Sequence, residues 1–250
     1  MQKLTPAEEA FLDDHFRYLS MAYQGQQPLE IVDGSQLETK QDLQHVLDRI
    51  HVFMESELML TTASIFAKRY AYYMVTGPLA LMSAFDKFPD VRFENFRFVR
   101  MDEAKKWLPK FELIDKTVST PGEGERREWV KNSLETLFKQ NVRPLFLHLN
   151  QMTRLSMNVL WENFAIYLYW FYELEAQKLF EGEQLARIRD DFHMMLNEFD
   201  GDVFGEEENP FFYFQYQTKK PTGKRERKYC CLTYRKNESS GYCKTCPHRC

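Results

Sequence analysis

Residues 156–180 read SMNVLWENFAIYLYWFYELEAQKLF. Apolar and aromatic side chains fall on nearly every face of a 3.6-residue repeat, so this stretch predicts a helix enclosed by other elements, at the centre of a bundle. Glu162, Asn163 and Glu173 interrupt it. It is the most apolar part of the chain, yet no run reaches the ~20 apolar residues that a membrane-spanning helix needs. Helical patterns flank it on both sides, at about 125–140, 143–153 and 183–199. The loop Pro121-Gly122-Glu123-Gly124 precedes this group, and an acidic loop, 201–210, follows it.

The N-terminal half reads as helices beside a small β element. Thr5-Pro6-Ala7-Glu8 has the form of a capping box with proline at the first helical position, and predicts a helix to about Gln24 with Phe11, Phe16, Leu19 and Tyr23 near one face. Thr39 can cap a second helix, in which Leu43, Val46, Leu47, Ile50 and Phe53 recur at helical spacing. A third runs from about Glu57 to Met74 and is expected to stop near Gly77-Pro78, because proline removes a donor and restricts the residue before it. A short helix, 79–85, follows. Val91, Phe93, Phe96 and Phe98 then alternate with polar residues, and 111–118 is a second strand candidate. Residues 211–216 predict a strand or an aromatic arm laid on the body. The fold class is therefore mainly α with a small β-sheet, an α+β arrangement, in a body spanning 1–217.

Composition narrows the function. The chain has 250 residues, 15% aromatic, with only ten Gly and ten Pro, which excludes a disordered or low-complexity protein. A net charge of −4 gives no reason to expect a nucleic-acid partner. The first residues lack the apolar core of a secretory signal, so the expected location is cytoplasmic, with room for a peripheral association at the inner membrane. No Gly-x-Gly-x-x-Gly or P-loop pattern occurs.

Charge and cysteine are both segregated. Residues 219–250 hold ten Lys and Arg against two Glu, a local charge of +8, which leaves −12 on the rest. All five cysteines, Cys230, Cys231, Cys243, Cys246 and Cys250, lie in the last 21 residues. A core that used cysteine as a small hydrophobe would scatter it, so the cluster points to metal ligation in a basic C-terminal segment, 218–250. Cys243-x-x-Cys246 is a generic chelating turn that serves zinc, iron–sulfur clusters and redox disulfides. The adjacent pair Cys230-Cys231 is more selective. Paired ligands of one zinc ion are usually two to four residues apart, whereas a two-iron cluster offers two metal atoms to share among four thiolates.

Cys230-Cys231, eleven residues, then Cys243-Lys244-Thr245-Cys246-Pro247 resembles the C-terminal motif of the FhuF-like ferric siderophore reductases, with a gap one residue longer than the family pattern. Lys68-Arg69-Tyr70 before Gly77-Pro78, and Trp161-Glu162-Asn163, are similar more weakly. The resemblance implies a [2Fe–2S] cluster on Cys230, Cys231, Cys243 and Cys246, with Cys250 left over. It implies one-electron reduction of a hydroxamate or citrate-hydroxamate ferric siderophore, release of Fe(II) for iron assimilation, and an external electron donor such as a flavodoxin or ferredoxin. Candidate substrate contacts are Lys68, Arg69, Arg154, Asn163, Arg225 and Lys228.

Two other readings stay open on the residues alone. One is a non-enzymatic helical binding protein whose tail holds structural zinc on Cys243, Cys246 and two of Cys230, Cys231, His248 and Cys250, with its basic segment docking a partner. The other is an electron-transfer or redox-sensing iron–sulfur protein. Each candidate contact also has a plainer role as a solvated charge or a buried polar group meeting its partners. Asp48-x-x-His51 and Asp190-x-x-His193 lack the further glutamates that a di-iron bundle requires.

Overall fold

The chain starts as its first residues predict. In the computed structural model, which describes residues 2–20, 27–101, 106–237 and 240–248, a short strand β1 (Gln2–Lys3) leads into helix α1 (Pro6–His15). Thr5 Oγ1 accepts from the Glu8 N–H (3.3 Å) while the Glu8 carboxylate accepts from the Thr5 N–H (2.8 Å), a complete capping box. The helix does not continue toward Gln24. Phe16 is extended (φ −129°, ψ 178°), and the backbone of Arg17 and Leu19 hydrogen-bonds to Phe111. Phe16, Tyr18 and Leu19 are buried along this extended path, so strand-like pairing overrides the helical pattern. Tyr23 and Gln24 lie outside the described residues.

Strand β2 (Glu30–Asp33) was not foreseen from the sequence. Helix α2 (Lys40–Met54) is capped by Thr39 as expected and buries Leu43, Val46, Leu47 and Ile50. Helix α3 (Met59–Met74) does not stop at Gly77-Pro78. It passes through a π turn, Val75–Leu79, into α4 (Ala80–Phe85). Widening the helix there accommodates a residue that lacks an N–H and whose ring would strike the preceding turn.

Two small sheets replace the single one expected. Strands β3 (Phe88–Pro89), β4 (Phe96–Arg100), β5 (Lys110–Leu113) and β6 (Thr117–Ser119) join β1 and β2 in the antiparallel orders β1-β6-β3 and β2-β4-β5. The expected strand over 111–118 is thus two strands in different sheets. Asp115 makes the corner, accepting from the N–H and hydroxyl of Thr117. Phe98 sits opposite Phe111 with both rings buried against Tyr73, and each buried ring contributes on the order of 2–3 kcal/mol.

Helices α5 (Arg126–Leu137) and α6 (Arg143–Thr153) form one rod through a second π turn. So do α7 (Met157–Trp170) and α8 (Ala176–Leu179), through Phe171–Glu175. Helix α9 (Gly182–His193) ends in a fourth, Met194–Glu198. As the sequence predicts, α7 is central: α3 packs along it, and Leu160, Asn163, Phe164 and Leu168 are inaccessible to solvent. Residues 211–216 form no strand. Phe212–Tyr216 is a 3₁₀ turn that inserts Phe211 and Phe214 into the core. Among the described residues, no helix is long and apolar enough to cross a membrane.

Candidate metal centre and the cavity beside it

The basic segment turns back at Pro221-Thr222-Gly223. Gly223 has φ +78°, a left-handed conformation that a side chain would strain, and Lys219 then bridges to Arg225. From Arg225 the chain runs over α7 and α3, held by a buried polar network. Arg227 is 1% exposed, and its guanidinium donates to Asn163 Oδ1 (2.6 Å) and to the Tyr229 carbonyl (3.0 Å) and pairs with Glu162 (3.4 Å). Glu162 also accepts from the N–H groups of Lys228 (2.7 Å) and Tyr229 (2.9 Å). Asn163 donates to Ser64, whose hydroxyl donates to the Cys231 carbonyl (2.9 Å). The Arg227 N–H donates to the Thr245 carbonyl (3.0 Å), tying the second cysteine pair to the first.

This network brings the four thiols together. Cys231 Sγ and Cys243 Sγ are 3.5 Å apart and share a hydrogen bond; two thiolates on one tetrahedral metal sit roughly 3.7 Å apart. Cys230 has Cys246 as its neighbour. The two ends are built alike: Cys230 Sγ accepts from the Leu232 N–H and Cys246 Sγ from the His248 N–H, each at 3.4 Å. Threonine hydroxyls lie against the other two sulfurs, Thr233 at 3.1 Å from Cys231 and Thr245 at 3.8 Å from Cys243. All four thiols are free. Among the described residues, no three His, Cys, Asp or Glu side chains converge on a point that would hold a single ion. Cys250 lies outside the described residues, and His248 is exposed near the Tyr234 ring.

The electrostatics favour thiolate at Cys231. The hydrogen bond with Cys243 holds Cys231 down at about 4 against its burial, with Lys68 and Arg227 adding to the drop. The same sharing, with burial, pushes Cys243 up. Burial pushes Cys230 up to about 11, with Cys246 and Cys231 adding to the rise. Arg227 Nη1 is buried and has no acceptor among the described residues. An anionic sulfide-bearing group held by these thiols would suit that donor, so the residues fit a four-thiolate cluster.

Two cavities flank the segment. The larger, about 1080 Å³, has no cysteine in its wall; Glu162, Asp202, Glu206, Glu207 and Glu208 outnumber Lys139, Arg143 and Lys228 there. The smaller, about 640 Å³, includes Cys243. Its cations come from five parts of the chain: Arg17 after α1, Lys68 and Arg69 on α3, Lys106 before β5, Lys224 and Arg225 at the start of the tail, and Lys244 between the last two cysteines of the four-thiol group. Its one acid, Glu173, is bound by Arg225 (2.6 and 3.0 Å) and Lys219 (3.1 Å). Tyr72, Tyr167 and Trp170 form a mutually contacting aromatic wall, with centroids 5.3–6.2 Å apart.

The sequence-derived contacts therefore divide. Lys68, Arg69 and Arg225 line the cavity with Cys243. Arg225 is largely committed, donating to Glu173 and to the carbonyls of Gln215 and Gln217 and stacking on Tyr169 at 4.8 Å. Asn163 is fully buried and anchors the tail. Lys228 faces the acidic cleft, and Arg154 caps α6 (φ 62°) and lines neither cavity. Ser64, Tyr72, Tyr167 and Trp170 were missed by sequence reasoning. Their only signal was membership of two apolar helices, which reads equally as core.

The fold and site thus define an α+β protein that presents a four-thiol centre at the wall of a basic, aromatic cavity. Residues 64–211, more than half of the chain, match the family described as ferric iron reductase FhuF-like transporter, and the chain belongs to that family. The match ends before the cysteines, so the body and the motif point the same way independently. Comparisons with curated proteins and with solved structures gave no match.

Proposed function

We propose that this protein is a ferric siderophore reductase, acting in the cytoplasm on an imported hydroxamate-type chelate, with a [2Fe–2S] cluster on Cys230, Cys231, Cys243 and Cys246. The observation that carries the reading is Cys243, which belongs both to the four-thiol group and to the wall of a cavity large enough for a chelate. When bound, the cluster supplies one electron, converting chelated Fe(III) to Fe(II), and is recharged by an external one-electron donor such as a flavodoxin or ferredoxin.

The chain's own residues do the rest. Tyr72, Tyr167 and Trp170 offer a flat apolar face for the organic part of the chelate, beside the cysteine wall. Hard oxygen ligands hold Fe(II) less firmly than Fe(III), so release needs no further catalytic group. Arg227 and Lys68, both close enough to lower the Cys231 pKa, favour added negative charge at the sulfurs and hence the reduced state. The network of Glu162, Asn163, Ser64 and Arg227 fixes the cysteine segment on α3 and α7, which keeps the distance from sulfur to cavity constant.

The test uses protein purified without oxygen and reduced chemically. Ferric hydroxamate chelates should reoxidise it rapidly, with one Fe(II) trapped per electron delivered. A colourless zinc-containing preparation, or a reduced cluster indifferent to every ferric chelate, overturns the proposal.

A further inference from the structure

The charge of the cavity carries the reading one step further. Lys68, Lys106, Lys224 and Lys244 line it, and among the described residues none forms an ion pair with a carboxylate. They come from α3, from the segment before β5, and from two separate parts of the tail. Only folding brings them to one cavity, so their charge is not that of a solvated run along one segment. Glu173, the cavity's single acid, is already neutralised by Arg225 and Lys219. Four like charges in one concave, partly apolar site repel one another, and an anionic occupant relieves that repulsion. The acidic cleft across the tail would repel the same occupant.

We infer that the cavity selects ferric chelates of net negative charge, those whose iron-binding groups include a carboxylate or hydroxycarboxylate, over neutral and cationic tris-hydroxamates. This rests on the reductase reading and names its substrate class. The carboxylate end lies on Lys68, Lys224 and Lys244, and the carbon backbone lies on Tyr167 and Trp170. Lys68 and Lys244 share the cavity wall with Cys243, and Lys244 follows it in sequence, so the preferred charge is placed on the cluster side.

The experiment compares three ferric complexes: a cationic linear tris-hydroxamate, a neutral cyclic tris-hydroxamate and an anionic citrate bis-hydroxamate. Binding to the full-length holoprotein is read from quenching of Trp170 fluorescence, with Trp170→Phe as the signal control, and reoxidation of the reduced protein is followed in parallel. The anionic complex should bind at least about tenfold more tightly at low salt, and the gap should shrink as salt screens the lysines. Lys68→Gln with Lys224→Gln should erase the preference, whereas Glu207→Gln in the acidic cleft should leave it intact. Equal affinities for all three complexes, or a preference that survives the double lysine variant, overturns the charge selection while leaving the reductase reading standing. Reoxidation by none of the three overturns both.

Discussion

The two cavities beside the tail share a helix and a side chain, yet they are electrostatic opposites. Helix α7 gives Trp161, Glu162 and Ala165 to the acidic cleft and Ile166, Tyr167 and Trp170 to the basic cavity, and Phe214 lies in both walls. The acidic cleft is the larger, so size alone would favour the side whose wall holds no cysteine. What separates them is a thiol and the sign of the lining charge: Cys243 and the lysines stand on one side, the run from Glu206 to Glu208 on the other. An electron can be delivered only where a donor reaches the wall, and a charged chelate accumulates only where the field attracts it.

The harshest way to break this contrast is to remove the donor. Cys231→Ser or Cys243→Ser should abolish the visible absorption of anaerobic protein and drop iron from about two per chain toward zero, whereas Cys250→Ser should leave both unchanged. Next is the anchor between the cavities. Arg227→Met keeps the bulk but strands the buried Glu162 carboxylate, and should cost about 3–5 kcal/mol in urea unfolding, with faster proteolysis of the tail. Adding Glu162→Gln to that variant should recover part of the loss; no recovery would show that the pair is not the anchor.

A smaller effect sharpens the comparison directly. Lys224→Glu with Lys244→Glu should lower kcat/KM for an anionic chelate roughly 10–100-fold at low salt, mainly through KM, while Glu207→Lys with Glu208→Lys should change it less than about twofold. Equal effects on the two sides would erase the distinction. The smallest effect lies far from both cavities and serves as a baseline. The bonds from Lys87 and Thr5 outweigh burial and lower the Glu8 pKa, so its stabilisation is complete above the usual carboxylate value and fades as pH falls through the lowered one. Glu8→Gln should cost about 1 kcal/mol or less at neutral pH, with a difference that narrows in acid and leaves the chelate kinetics unchanged.

Local rules written in the chain were reliable where nothing distant competed. The caps at Thr5 and Thr39 formed because their partners lie three residues away. The enclosed position of 156–180 followed from its apolar faces, and the grouping of the cysteines in a basic tail was visible directly. Pairing with remote segments defeated the same rules: Phe111 draws 17–19 out of a helix, and Asp115 divides 110–119 between two sheets. The aromatic run 211–216 likewise packs as a 3₁₀ turn because Phe211 and Phe214 find buried neighbours on one side.

By itself the sequence marked the cysteines as the candidates for binding a metal, since thiols grouped within a short stretch can chelate with little help from the rest of the fold. It could not determine which lysines and tyrosines stand beside them. Lys68, Lys106, Lys224 and Lys244 become neighbours only when the tail is buried on α3 and α7 through Arg227, Asn163 and Ser64. That docking is a matter of long-range hydrogen bonding and packing, and no periodicity within a single segment encodes it.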